Sequence, residues 1–252
     1  AASDTGLKVR VLSNGSLWDQ DRVDRLSPYI DSIQISIDGY SELTNAPIRG
    51  KGHFTKALKA VDCFLNNGVN TSIGVTPPFE VLQTNLEDYY EFARNISNQY
   101  KGKPILIKFS EGLLLGRDVC PSKQINQEYW ELMQKLQNKL HGEDYDVMSF
   151  ARVFREDVIM DNCMFGVLTI SANGDVFFCA RISDLKSCAN IRTTPFDDII
   201  SIAEKAEKST MINKLEPCGK CNLRYICGGG CRIDEFKDLV DRVEFDSIDY
   251  SK

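Results

Sequence analysis

Apolar and polar residues follow two different periods in the first two-thirds of the chain. Short β-rich runs, each closed by a turn, are separated by stretches with apolar residues at helical spacing. The β-rich runs are residues 8–12, 32–37, 71–76 and 105–109, and the helical stretches centre on residues 18–30, 54–65 and 86–96. Strands separated by helices of this length predict parallel βαβ units and therefore an α/β fold.

The alternation stops after the next helix, which a leucine stripe predicts over residues 129–140. Residues 167–170 and 176–178 flank the sequence Ser-Ala-Asn-Gly-Asp, which is a strong signal for a β-hairpin. A further helix is predicted from Pro195 to about residue 206. We place a domain boundary near residues 140–160, so the predicted domains are 1–150 and 151–252.

Six of the nine cysteines fall into two spaced groups, C-x10-G-x4-C and C-x2-C-x5-C-x3-C. Their members are Cys163, Cys179, Cys218, Cys221, Cys227 and Cys231. Polar residues within the second group argue against burial of all its cysteines as packing residues. The glycines after Cys227 allow a sharp turn and a close approach of backbone N–H groups to an inorganic centre. This spacing favours an iron–sulfur cluster or another soft metal over a disulfide framework.

Composition narrows the function classes further. A net charge of −6 argues against nucleic acid or an anionic membrane surface as the main partner. No apolar run is long enough to span a bilayer, and no secretory signal opens the chain. Together with the cysteine spacing, this predicts a cytoplasmic location. His53 and His141 are predicted to be surface positions. The abrupt start at Ala1 leads us to expect a fragment of a longer protein.

Together these features resemble the radical S-adenosylmethionine (radical SAM) enzymes with a C-terminal SPASM domain, which mature peptides and proteins. The N-terminal matches are Ser13-Asn14-Gly15, Ser36-Ile37-Asp38-Gly39 and Arg49-Gly50-x-Gly52-x-Phe54. Each of these is weak alone, whereas the two cysteine motifs in this order are strong. The resemblance implies a partial parallel (β/α) barrel of the radical SAM type in residues 1–150. A small cysteine-rich SPASM domain with a β-hairpin would follow in residues 151–252.

The resemblance implies two auxiliary [4Fe–4S] clusters in the SPASM domain. The first would be held by Cys163, Cys179 and Cys231. The second would be held by Cys218, Cys221 and Cys227. For Cys188 two interpretations stay open: it completes the first cluster, or it is a buried free cysteine.

The resemblance also implies a site for S-adenosylmethionine built from Asn14, Ser36, Asp38 and Arg49. Ser36 and Arg49 match positions at which the family approaches the ribose and the carboxylate of this cofactor, and arginine binds carboxylates well. For Asp38 the alternative is a turn-capping carboxylate, and for Asn14 a left-handed turn.

The sequence departs from the family pattern in two places. The C-x3-C-x2-C loop of the radical-generating cluster and the GGE segment are absent, and no cysteine follows Cys231. We expect that the chain is cut at both ends and that it does not cleave S-adenosylmethionine by itself.

The leading functional hypothesis is the C-terminal portion of a radical SAM/SPASM maturase. By resemblance, the full enzyme forms a 5′-deoxyadenosyl radical that abstracts hydrogen from a ribosomal peptide or protein, giving a crosslink, a thioether or an oxidised side chain. The auxiliary clusters would relay electrons or bind substrate, and a flavodoxin or ferredoxin would act as reductant.

Two alternative functions are kept. The first is a non-catalytic module that binds zinc or transfers electrons, since C-x2-C pairs are common in zinc sites. The second is an anaerobic sulfatase-maturating enzyme. It is disfavoured because Ala180 follows Cys179 where such enzymes carry an aspartate.

Overall fold

The chain divides into two compact units, Ala1–Ala151 and Arg152–Lys252. The computed structural model describes residues 2–110, 113, 122–143, 165–181, 185–224 and 228–235. Cys163 and Cys227 lie outside the described residues, so their assignment as ligands stays a prediction. No helix in the described part of the chain combines the length and the apolarity that crossing a bilayer requires.

The first unit contains a four-stranded parallel sheet with the order β1-β2-β3-β4. Its strands are β1 (Arg10–Ser13), β2 (Ser32–Ser36), β3 (Asn70–Val75) and β4 (Ile105–Phe109). Its helices are α1 (Gln20–Leu26), α2 (Glu42–Arg49), α3 (His53–Asn66), α4 (Phe79–Gln99) and α5 (Lys123–His141), with 3-10 turns at Ala2–Thr5 and Ser27–Tyr29. The parallel strands with intervening helices confirm the predicted α/β fold class.

Helix α2 is an element that the hydrophobic pattern did not predict. It begins with a capping box, in which the Ser41 hydroxyl accepts from the backbone N–H of Thr44 and the Thr44 hydroxyl accepts from that of Ser41. Gly39 allows the chain to pass close to this helix, because a Cβ atom there would lie 2.3 Å from the backbone nitrogen of Asn45. The end of β2 is therefore packed directly against the start of α2.

The two faces of the parallel sheet differ in chemistry. On β2, Ile33 and Ile35 are buried in the core that the sheet forms with the helices. Gln34 and Ser36 alternate with them, so they lie on the opposite face. Parallel sheets usually bury apolar residues on both faces, and this polar face therefore marks the surface where the sheet can bind a ligand.

The second unit contains a three-stranded antiparallel sheet with the order β5-β6-β7. Its strands are β5 (Thr169–Ile170), β6 (Asp175–Phe177) and β7 (Ala189–Asn190). Its helices are α6 (Phe196–Ser209) and α7 (Arg232–Glu235), with 3-10 turns at Ile212–Lys214 and Cys218–Lys220. The β5–β6 pair confirms the predicted hairpin, whereas β7 was not predicted. Its apolar cluster includes Phe165, Val176, Phe178, Cys188, Ile199, Ile202 and Ile233.

The glycine of the C-x10-G-x4-C motif, Gly174, is required by the backbone conformation and by close packing. Its φ angle is +90°, and a Cβ atom there would lie 3.0 Å from Oδ1 of Asn190. The Asn190 amide in turn donates to the carbonyl oxygen of Asn173 at 3.3 Å and to Oδ1 of Asp175 at 2.9 Å. The glycine therefore lets β7 close over the hairpin turn that leads to Cys179.

Candidate functional site

A cavity of about 260 Å³ lies on the polar face of the parallel sheet, toward the carboxyl ends of the strands. Its wall is formed by Gln34, Ser36, Asp38, Arg49, Gly74, Thr76, Lys108, Phe109 and Ser110. Open α/β sheets bind their ligands at this edge, because the strand ends bring residues from different loops together. Ser36, Asp38 and Arg49, which were predicted as cofactor-binding residues, thus share one cavity.

Asp38 forms a buried ion pair with Arg49. The Asp38 side chain is 6% exposed, and its Oδ2 accepts from Nε of Arg49 at 2.6 Å. Its Oδ1 accepts from the backbone N–H of Thr76 at 3.2 Å, so both carboxylate oxygens have partners within the protein. The Arg49 side chain is 29% exposed, and its Nη groups make no hydrogen bond to the described residues. The ion pair therefore fixes a guanidinium group in the cavity wall with donors left for a ligand.

A hydrogen-bond relay holds the loop that carries Asp38. The fully buried Asn45 accepts through Oδ1 from the N–H groups of Asp38 at 3.0 Å and Gly39 at 3.3 Å. Its Nδ2 lies 3.0 Å from Nδ1 of His53, and Nε2 of His53 lies 2.6 Å from the carbonyl oxygen of Asn14. Because a carbonyl oxygen only accepts, Nε2 must carry the proton and Nδ1 accepts from Asn45. The relay ties the turn after β1 to the turn after β2.

The prediction that His53 is a surface residue was wrong. Its side chain is buried, at 5% exposure. Polar and glycine neighbours in sequence indicated exposure, but the packing of α3 against the turn after β1 covers the ring. The polar partners that bury the ring, Asn45 and the carbonyl group of Asn14, are brought to it by the tertiary fold, so no local pattern in the sequence indicated its burial.

Asn14 contributes its main chain rather than its side chain to this region. Its Oδ1 accepts from the backbone N–H of Ser16 at 3.0 Å and from the Ser16 hydroxyl at 2.9 Å. Gly15 follows with a φ angle of +81°, as the predicted turn requires. Asn14 is not among the described residues that line the cavity, and its contact with a cofactor stays a prediction.

Lys108 is a cavity residue that the sequence analysis missed. It interrupts the apolar run of β4, pairs with Gly74 of β3, and lies on the polar face. It also lines a neighbouring cavity of about 340 Å³. With the described residues it forms neither an ion pair nor a hydrogen bond, so its ammonium group can meet an anionic ligand. The signal in the sequence was a single charge inside an otherwise apolar strand.

Tyr89 binds the main chain of the loop that carries Asp38. Its hydroxyl donates to the carbonyl oxygen of Asp38 at 2.8 Å, and the side chain is fully buried in α4. Burial raises the pKa of the Tyr89 phenol, so the hydroxyl remains protonated and keeps this hydrogen bond at physiological pH.

In the second unit, the end of the hairpin meets the C-terminal cysteine run at Cys231. Cys179 and Cys231 are half-buried and pack against the same apolar cluster. Nη1 of Arg181, just after Cys179, lies 3.4 Å from Sγ of Cys231. This hydrogen bond joins the segment that follows Cys179 to the C-terminal cysteine run. This arrangement is compatible with ligation of one cluster from both segments.

The glycine-rich segment of the cysteine run passes beside Cys218. Gly228 and Gly229 have φ angles of +70° and +71°, in agreement with the sharp turn predicted there. A Cβ atom at Gly229 would lie 3.9 Å from Sγ of Cys218 and 2.6 Å from Cδ1 of Ile212. Cys221 accepts from the backbone N–H of Leu223 at 3.4 Å through its sulfur.

Cys188 has the environment of a packing residue. It is 8% exposed, and its thiol donates to the carbonyl oxygen of Val176 at 3.2 Å. Burial raises the pKa of this thiol to about 11. These facts favour the interpretation of Cys188 as a buried free cysteine, and its role as a ligand stays a prediction.

The described cysteines are free of disulfide bonds, and soft sulfur donors of this kind fit an iron–sulfur centre. Each predicted set of three ligands has two described members, Cys179 with Cys231 and Cys218 with Cys221. Within the described residues, no three Cys, His, Asp or Glu side chains form a group that could hold a metal ion.

Comparison with known proteins identifies two family models in the chain. The model of the radical SAM superfamily matches residues 1–93. The SPASM model, an iron–sulfur cluster-binding domain, matches residues 162–222. The first match contains Asp38 and Arg49, and the second contains Cys179 and Cys218.

Two curated relatives and one solved structure show similarity along most of the chain. The mycofactocin maturase MftC of Mycolicibacterium smegmatis is 26% identical over 83% of this chain and 54% of its own length. The subtilosin biosynthesis protein AlbA of Bacillus subtilis is 22% identical over 88% of this chain and 50% of its own. The structure of "Native anSMEcpe with bound AdoMet" has a TM-score of 0.62 at 16% identity, covering 89% of this chain and 65% of that chain, which shows a shared fold.

The chain thus spans about half the length of these curated relatives. The two family models match in the order that the family resemblance implied, and the fold is shared with the solved structure. The chain thus matches the radical SAM superfamily over residues 1–93 and the SPASM iron–sulfur cluster-binding domain over residues 162–222.

Proposed function

We propose that this chain is part of a radical SAM peptide maturase, an enzyme that modifies a side chain of a ribosomal peptide or protein by crosslinking, thioether formation or oxidation. The observation that carries the proposal is the cavity that gathers Ser36, Asp38 and Arg49 at the strand ends. The similarity to MftC, a maturase, and to AlbA, a bacteriocin biosynthesis protein, supports the same class of substrate.

The residues of the cavity fit S-adenosylmethionine, which carries a carboxylate and ribose hydroxyls. When bound, this cofactor supplies the one-electron chemistry that removes a hydrogen atom from the substrate. The Arg49 guanidinium, held by Asp38, offers donors for a carboxylate. Lys108 adds a second cation, and the hydroxyls of Thr76 and Ser110, 2.8 Å apart, add further polar groups to the wall.

The cysteines of the second unit fit auxiliary [4Fe–4S] clusters. We assign Cys163, Cys179 and Cys231 to one cluster and leave Cys188 outside it, because its thiol is engaged with Val176. Cys218, Cys221 and Cys227 are assigned to the other. These residues would hold clusters that relay electrons or bind substrate, with potentials set by burial and nearby N–H donors.

The proposed partners are a peptide or protein substrate and a reductant such as flavodoxin or ferredoxin, and the proposed location is the cytoplasm. Sulfatase maturation is the less supported alternative. Ala180 follows Cys179 where sulfatase-maturating enzymes carry an aspartate, and the likeness to anSMEcpe at 16% identity concerns the fold alone.

Lys108→Gln is expected to weaken the binding of S-adenosylmethionine about tenfold, because it removes a cation that has no ion-pair partner among the described residues. Isothermal titration calorimetry with S-adenosylmethionine, carried out anaerobically, measures the two dissociation constants. Lys101→Gln is the matched control, since Lys101 is exposed outside the cavity and its substitution should leave binding unchanged. Equal affinity of Lys108→Gln and the unaltered chain would exclude Lys108 from the site.

Metal analysis tests the proposed function as a whole. Anaerobically purified chain should contain roughly eight iron and eight sulfide for two [4Fe–4S] clusters. Near-stoichiometric zinc in a colourless protein would instead identify a structural zinc module and overturn the proposal. With the complete protein, a reductant and S-adenosylmethionine, mass spectrometry of a peptide encoded beside the gene should then show loss of a pair of hydrogens.

A further inference from the structure

Arg232, the residue directly after Cys231, is buried beneath the glycine-rich segment. Its side chain is 1% exposed, so its guanidinium donors require partners inside the protein. Nε donates to the carbonyl oxygen of Thr210 at 2.8 Å, at the end of α6. Nη1 donates to the carbonyl oxygens of Gly230 at 2.9 Å and Gly228 at 3.3 Å. One guanidinium thus binds carbonyl groups from both α6 and the segment between Cys227 and Cys231.

These hydrogen bonds determine which backbone groups of the glycine-rich segment remain available to bind a ligand. A trans peptide unit points its N–H opposite to its C=O. Because the carbonyl groups of Gly228 and Gly230 point at Arg232, the N–H groups that share their peptide units, those of Gly229 and Cys231, point away from it. Among the described residues, the N–H groups of Gly229, Gly230 and Cys231 have no hydrogen-bond acceptor. These donors lie in the segment that passes beside Cys218.

We propose that Arg232 is a positioning residue for the iron–sulfur cluster of Cys218, Cys221 and Cys227. It binds the carbonyl oxygens of the glycine-rich segment, so that the segment offers N–H donors rather than carbonyl oxygens to the cluster sulfurs. The proposal rests on the proposed function, because it requires that this cluster is present. Hydrogen bonds to the sulfurs stabilise the more negative, reduced cluster and raise its reduction potential.

The positive charge of Arg232 also raises the potential, and a lysine separates the two effects. Arg232→Lys keeps the charge, but an ammonium group lacks the planar fork that reaches carbonyl groups in two segments. Arg232→Met removes both the charge and the planar set of N–H donors. If positioning is the role of Arg232, then both variants lower the potential. If only the charge matters, then Arg232→Lys retains the potential of the unaltered chain.

The test is a redox titration of the anaerobically purified full chain, monitored by electron paramagnetic resonance, with iron and sulfide counted in parallel. We expect Arg232→Lys and Arg232→Met to keep their iron and to shift the ratio of reduced to oxidised cluster about tenfold toward oxidised, which is about 59 mV for a one-electron couple. Arg192→Lys is the matched control, because Arg192 is exposed and its replacement should leave the potential unchanged.

Each other outcome has a separate meaning. An unshifted potential in Arg232→Lys overturns the positioning role. Loss of iron from Arg232→Lys overturns it as well, since Arg232 would then serve to assemble the site rather than to tune it. Absence of an iron–sulfur signal in the unaltered chain would instead contradict the proposed function, whatever the variants do.

Discussion

Asn45→Ala is expected to lower the free energy of unfolding by about 3 kcal/mol or more. The substitution leaves the N–H groups of Asp38 and Gly39 and Nδ1 of His53 without their partner in a buried site. Each buried polar group that loses its hydrogen bond costs about 1–3 kcal/mol. Equilibrium denaturation in urea, followed by circular dichroism, measures the change. Because this loop carries Asp38, binding of S-adenosylmethionine should weaken in the same variant.

The control for this variant is Asn95→Ala. Asn95 is exposed on α4, and its replacement should change stability by no more than about 0.5 kcal/mol. Asn45→Asp provides a finer test, since it keeps an acceptor for the two backbone N–H groups and should cost less than alanine. If Asn45→Ala unfolds at the same urea concentration as the unaltered chain, the relay does not stabilise the loop.

Removal of the iron–sulfur clusters is expected to loosen the second unit and to leave the first unit intact. The apolar core of the second unit is small, and a cluster that joins Cys179 to Cys231 would supply much of its stability. Amide exchange in the β5–β6 hairpin should become about 100-fold faster, which corresponds to about 2.7 kcal/mol of local stability. Exchange in β2 and β3 should stay the same.

Hydrogen exchange with mass spectrometry, on iron-loaded and chelator-treated chain, makes this comparison. Cys179→Ala should reproduce the fast exchange, because it removes a predicted ligand. Cys188→Ala is the matched control. It makes the same truncation at a buried thiol that is hydrogen-bonded to the carbonyl oxygen of Val176, and it should leave the iron content unchanged. Equal protection of the hairpin with and without iron would contradict the prediction.

Local sequence patterns predicted most of the architecture. The period of apolar residues predicted β1–β4, and these strands form within one or two residues of their predicted positions. The Asn-Gly signal predicted the β5–β6 hairpin. The two cysteine motifs carried the resemblance to the SPASM domain, which the family comparison confirms. These features could be predicted from the sequence because periodicity, turn chemistry and ligand spacing each depend on only a few neighbouring residues.

Local sequence patterns did not predict helix α2, strand β7 or the burial of His53. Helix α2 depends on its capping box and on the close approach of Gly39, and β7 is a two-residue pairing that only the hairpin turn stabilises. His53 is polar with polar neighbours, and only the packing of its ring between Asn45 and Asn14 makes it an interior residue.

The sequence alone determined which chemical groups the protein carries: the strand-end motifs with Ser36 and Arg49, and thiols at ligand spacing. Tertiary structure decided which of these groups share a site. Sheet register places Lys108 opposite Gly74, and the loop after β2 brings Asp38 to Thr76, 38 residues away. The burial of Arg232 under the glycine-rich segment was decided in the same way. Hydrogen bonds and ion pairs between residues so distant depend on the closed fold, and no local pattern encodes them.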